Sequence, residues 1–98
     1  MSIFAVNMRH VPESCPMFNS TVRERTKKIV MNGGDVAKKH KIKIVSGVVS
    51  MLDHRIYFVI ESESQSNVEE YLREIDYASW NIITIKQVRP IEEVLKQL

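Results

Sequence analysis

Three side chains near the N-terminus carry the reactive chemistry of this sequence. His10, Glu13 and Cys15 place an imidazole, a carboxylate and a thiol within six consecutive residues. All three are ligand types for first-row transition metals. Pro12 and Pro16 stiffen the stretch, and Cys15 is biased to an extended conformation because a proline follows it. A stiff loop can preorganise ligands, although this spacing is not a standard zinc signature. The same residues could instead build a nucleophilic or redox-active cysteine. His10 would favour the Cys15 thiolate, while Glu13 would oppose it by stabilising the proton. Plainer roles exist for each: a hydrogen-bonding histidine at a strand end, a glutamate capping a turn, a cysteine packed as a small hydrophobe. No Ser-His-Asp arrangement has supporting context. Gly33-Gly34 falls within a helical pattern, not after a strand, and is no phosphate loop.

These residues need a frame. Ile3 to His10 is short, apolar and partly β-branched, which predicts a strand. Two prolines in five positions, Pro12 and Pro16, exclude a regular element after it. Thr21-Val22-Arg23-Glu24 is a capping box, so a helix is expected from about Thr21. Val22, Thr26, Ile29, Val30, Gly33, Val36 and Ala37 then recur at helical spacing. Gly33-Gly34 weakens its middle by about 1 kcal/mol per glycine relative to alanine, predicting one helix with a soft point or break there. Lys38-Lys39-His40-Lys41 puts positive charge at the C-terminal end, where the helix dipole favours it, and His40 reads as solvated. Ile42 to Met51, Arg55 to Glu61 and Trp80 to Val88 read as strands, with Leu52-Asp53-His54 a turn between the first two. Ser66-Asn67-Val68-Glu69 is a second capping box, and Val68, Tyr71, Leu72 and Ile75 form an amphipathic stripe. Pro90 suits the first position of a tail helix whose Ile91, Val94, Leu95 and Leu98 share a face.

The order is β-α-β-β-α-β plus a tail helix. It predicts a single α+β domain over residues 1–98 with ferredoxin-like topology: one four-stranded antiparallel sheet with two helices on one face. In such a sheet the first strand is central and antiparallel to the third. His10 ends the first strand and His54 precedes the third. Neighbouring strands lie ~4.8 Å apart, so the two imidazoles could share a site. Asp53 could orient an imidazole from behind or supply a carboxylate. The expected constellation is His10, Cys15 and His54 with Glu13 or Asp53, at one rim of the sheet. It suits a divalent transition metal, zinc or iron.

Composition narrows the function classes. With 98 residues, 44% hydrophobic and 27% charged, the chain can pack one small core and is not disordered. Fourteen Lys and Arg against twelve Asp and Glu leave a net charge of +2, too little to imply a nucleic-acid partner. Arg55-Ile56-Tyr57-Phe58-Val59 also lacks the Lys/Arg-Gly-aromatic start that RNA-recognition modules carry on their third strand. One cysteine excludes an intrachain disulfide framework. No apolar run approaches the roughly 20 residues of a membrane span, and Met1-Ser2-Ile3-Phe4 has no secretory character. A cytoplasmic protein without a membrane partner is expected.

The strands are apolar on both faces. Ile3 and Ala5 oppose Phe4, Val6 and Met8; Tyr57 and Val59 oppose Ile56, Phe58 and Ile60; Ile82 opposes Ile83 and Ile85. Helices cover one face only, so a second copy is expected on the other, as a homodimer. The tail helix would cross the partner or, alternatively, cover the open face within its own chain. This arrangement resembles the dimeric α/β-barrel superfamily, in which two ferredoxin-like units join their sheets. Its members include small monooxygenases, isomerases, haem-degrading proteins and ligand-sensing domains of transcription regulators. More narrowly, His10-Val11-Pro12-Glu13-Ser14-Cys15-Pro16 resembles a His-x-Pro-Glu-x-Cys-Pro segment found after the first strand in a group of small, uncharacterised microbial proteins. That resemblance implies the fold and the dimer, and no reaction.

Two functions compete. One is a small homodimer with a metal or small-molecule site at His10, Cys15 and His54, open to enzymatic chemistry. Phe4, Val6, Met8, Phe58 and Trp80 would line its cleft, although Trp80 reads first as a core or interface anchor. Asn7 would face that cleft or a helix end. The other is a non-catalytic ligand-sensing or protein-interaction module.

Overall fold

A computed structural model describes all residues, Met1 to Leu98. The elements run β1 (Ser2–Arg9), a 3-10 turn (Pro12–Ser14), α1 (Ser20–Lys39), β2 (Lys43–Ser50), β3 (Arg55–Ser62), α2 (Gln65–Glu74), β4 (Ile82–Val88) and α3 (Ile91–Leu95). The strands form one antiparallel sheet in the order β2-β3-β1-β4, as the ferredoxin-like topology requires. No helix is long and apolar enough to cross a membrane.

Register decides which side chains share a face. Pairing sets Phe4 opposite Ile60, Val6 opposite Phe58 and Ile85, and Met8 opposite Ile56 and Ile83. Phe4, Val6, Met8 and Ile60 are buried with Val22 and Ile29 of α1 and Val68, Tyr71 and Leu72 of α2, so both helices cover this one face. Ile3, Ala5, Asn7, Tyr57, Val59 and Ile82 alternate with that set and lie on the other face. Asn7 therefore looks away from the helices, paired across the sheet with Tyr57 and Thr84. The tail helix does not cover that face: Ile91, Val94, Leu95 and Leu98 are all exposed.

Local chemistry moved several boundaries. Asn19, not Thr21, caps α1, its side-chain oxygen accepting from the Val22 N–H at 3.1 Å. Ser64, not Ser66, caps α2, accepting from the Asn67 N–H. In each case the strong N-cap lying two residues upstream gains a further half-turn of backbone pairing, and the capping boxes end up inside the first turn. Gly33-Gly34 does not interrupt α1, which runs unbroken through it. Val30 points to solvent at 77% exposure, leaving the stripe to Val22, Ile29, Val36 and Ala37. The segment between Pro12 and Pro16 holds one 3-10 turn, which proline tolerates at its start because the missing N–H is unpaired there anyway. His40 is not solvated: its ring is 14% exposed, held between α1 and α2 near Glu70 and Glu74.

Candidate metal centre

The rim where β1 ends is built by extending the sheet one step past its last regular pair. Arg9 pairs with Arg55, and the next residue, His10, donates its backbone N–H to the His54 carbonyl at 3.1 Å. The β2–β3 turn brings His54 there with φ of 54°, a left-handed conformation that histidine adopts more readily than most residues. The two rings sit edge to face, with centroids 5.4 Å apart.

Cys15 arrives from the proline-stiffened loop. It takes the extended conformation expected before Pro16, with φ −71° and ψ 134°. Its N–H donates to the Pro12 carbonyl, and its own carbonyl accepts from the Phe18 and Asn19 N–H groups. Arg23, one turn into α1, clamps the loop by donating to the Pro16 carbonyl at 2.9 Å and the Met17 carbonyl at 3.1 Å. Asn19 ties the loop's other side through its amide to the Glu13 carbonyl. The thiol is thereby held buried beside the two imidazoles.

His10, Cys15 and His54 each offer one donor atom, and these atoms all lie within 4.8 Å of one another. A tetrahedral ion with nitrogen ligands at about 2.0 Å and sulfur at about 2.3 Å holds such donors roughly 3.5 Å apart, so closure needs about an ångström of movement. Glu13 and Asp53 stand outside this group. Glu13 is exposed on the 3-10 turn, because that turn directs Cys15 inward and Glu13 outward. Asp53 is exposed and accepts from the Ser50 hydroxyl at 3.4 Å, within its own turn.

The residue that orients an imidazole is Asn81. Its side-chain Nδ2 donates to the Tyr77 carbonyl at 3.1 Å, which turns Oδ1 toward His10. His10 Nδ1 lies 3.0 Å from that oxygen and must be the donor. A neutral imidazole with its proton on Nδ1 leaves a bare lone pair on Nε2. His10 Nε2 is buried and has no hydrogen-bond partner; nor has His54 Nδ1. Buried polar atoms are normally paired, and two such imidazole nitrogens beside a buried thiol form a set that a metal ion would satisfy. Asn81 was findable from topology: β4 sets Ile82 opposite Arg9, so the residue before Ile82 lies opposite His10.

A cavity of about 360 Å³ has His10, Cys15 and His54 among its lining residues. Its walls include Met17, Val49, Met51, Ile56, Phe58, Tyr77 and Trp80. Phe58 and Trp80 line it as the sequence suggested, but Phe4, Val6 and Met8 do not: they are core beneath the helices. Gly47 on β2 lets the Phe58 ring lie against its backbone, where a Cβ would stand 2.6 Å from Phe58 Cε1. Trp80 is buried, its ring 5.1 Å from that of His10, and its indole N–H has no acceptor. Burial pushes the Tyr77 phenol up, so this wall presents a neutral group. On the other side of the imidazoles runs a more polar groove that includes Arg9, Asp53, Ser79 and Asn81.

The chain matches no protein-family model, and no curated protein shows significant similarity to it.

Proposed function

We propose that this protein is a homodimeric metal-binding protein in which His10, Cys15 and His54 hold a zinc or iron ion. The observation that carries this reading is the state of His10. Its Nδ1 lies 3.0 Å from the Asn81 side-chain oxygen, and its Nε2 is buried without a hydrogen-bond partner beside a thiol and a second imidazole. Imidazole and thiolate donors suit zinc and iron better than the oxygen-preferring magnesium or calcium. Three protein donors leave a coordination position open, the arrangement of catalytic rather than structural zinc sites. A metal held there would polarise a bound oxygen or lower the pKa of a bound water. The chain's own share is to hold His10 in one tautomer, pin Cys15 through Arg23 and Asn19, and surround the donors with apolar walls.

The partner in this reading is a second copy on the open sheet face. Ile3, Ala5, Tyr57, Val59 and Val48 lie there, and the exposed apolar stripe of α3 follows directly from β4. A closed twofold pair buries both surfaces at once. The alternative of a non-catalytic sensing or interaction module shares the dimer and lacks turnover.

Elemental analysis by mass spectrometry, on untagged protein purified without chelator, tests the metal reading. Near-stoichiometric zinc or iron that disappears in His10→Ala, Cys15→Ser and His54→Ala supports it. Protein that carries no metal and takes up none on titration overturns it. Light scattering tests the dimer: twice the 11.4 kDa chain mass is expected, falling to the monomer in Val59→Lys.

A further inference from the structure

We propose that the cavity beside the three donors binds a small carboxylic acid with an aromatic or branched aliphatic body, its carboxylate taking the open coordination position. The inference rests on the metal reading above and names what such a site would take.

Three observations converge on this chemistry. The first is continuity. His10, Cys15 and His54 are themselves among the residues of the cavity wall, so a ligand in the cavity lies next to the donor set. Its volume of about 360 Å³ falls at the lower end of the range for small-molecule sites. The second is polarity. Away from the donors the wall is formed chiefly by Val49, Ile56, Phe58, Tyr77 and Trp80, which recognise an apolar body and offer little to a sugar or a nucleotide. The third is charge. A divalent ion with one thiolate and two neutral imidazoles keeps a net charge of +1. In surroundings of low polarity that residual charge is costly, and a monoanion neutralises it.

The experiment uses cobalt(II) in place of the native metal, because its visible bands report both thiolate ligation and any change at the open position. The full-length protein is loaded with cobalt and titrated with phenylacetate and, separately, with acetate. Phenylacetate is expected to shift the bands at a concentration at least tenfold lower than acetate, since the two share a head group and differ in the apolar body. Val49→Trp enlarges a wall residue that offers no ligand atom; it should keep the cobalt spectrum and lose the preference for phenylacetate. Cobalt bands that neither acid moves, or that both move at the same concentration, would overturn the ligand assignment while leaving the metal site standing. Failure of the thiolate–cobalt bands to form at all would overturn the metal reading, and this inference with it.

Discussion

The molecule holds imidazoles in two kinds of surroundings. His40, at the end of α1, lies 3.4 Å from Glu74 and 3.9 Å from Glu70, with Lys39 donating to Glu74 at 2.7 Å. Carboxylates and an ammonium surround it, and the whole set bridges α1 to α2 at the surface. His10 and His54 have a thiol for a neighbour, an amide oxygen on one ring nitrogen and apolar walls. An imidazole among carboxylates is part of a polar link between elements. One with a ring nitrogen beside a neutral amide oxygen, and with a thiol and a second imidazole next to it, has the surroundings a metal ligand would have. Residue type is the same in both places; the difference lies in what the fold sets against each ring.

The comparison can be broken most forcefully at the donors. Cys15→Ser or His10→Ala should weaken metal binding roughly a hundredfold or more, measured by competition with a chromophoric chelator, whereas His40→Ala should leave affinity unchanged. Metal present at about 100 times its Kd adds about 2.7 kcal/mol of stability. A chelator should therefore lower the Tm of the wild-type protein by roughly 10 °C or more and leave the Tm of Cys15→Ser unmoved. A metal affinity equally sensitive to His40 would erase the distinction between the two settings.

Asn81 sharpens it. Asn81→Leu removes the oxygen that holds the His10 proton on Nδ1, and metal affinity should fall roughly 10- to 100-fold while the cobalt thiolate band persists. Asn81→Asp, which still accepts from Nδ1, should restore most of it. If Leu and Asp behave alike, His10 is oriented by something else.

Smaller effects separate core from surface. Burial, and then the neighbouring Tyr77, push the Tyr71 phenol up to about 12. The unfolded chain releases that proton near pH 10. The stabilisation is complete below pH 10 and is lost as pH rises from 10 toward 12, by roughly 2 kcal/mol. Urea denaturation across that window should show the loss, and Tyr71→Phe should flatten it.

The smallest effect is expected at the His40 setting. The hydrogen bond from Lys39, helped by His40, holds the Glu74 carboxyl below its ordinary value of 4.5. Its contribution is present above that value and disappears as pH falls through the lowered one. Glu74 is on the surface and screened, so Glu74→Gln should change Tm only slightly, with the difference shrinking further in high salt.

Much of this was legible in the sequence because it depends on periodicity and topology. The strand order follows from β-α-β-β-α-β, and the meeting of His10 with His54 follows from antiparallel pairing of β1 with β3. What escaped depends on choices among near-equivalent local partners. Thr21 and Ser66 head good capping boxes, yet Asn19 and Ser64 cap the helices because a competent cap lay upstream. Glu13 has the right chemistry for a ligand but is turned to solvent by the 3-10 geometry that buries Cys15. Asp53 was expected behind the imidazole, and a neutral Asn81, the residue just before β4, stands there instead. Composition gave no sign of the clamp from Arg23 to the Pro16 and Met17 carbonyls, since any arginine on α1 looks like a solvated one in sequence.

The central claim is that one thiolate and two imidazoles share a metal ion at this rim. X-ray absorption at the zinc edge, on the zinc-loaded protein, reads that donor set directly. The account predicts one sulfur at about 2.3 Å and nitrogen or oxygen neighbours at about 2.0 Å, with imidazole scattering from two rings and the sulfur lost in Cys15→Ser. A shell made only of oxygen and nitrogen in the unaltered protein, or one with two or more sulfurs, would contradict it.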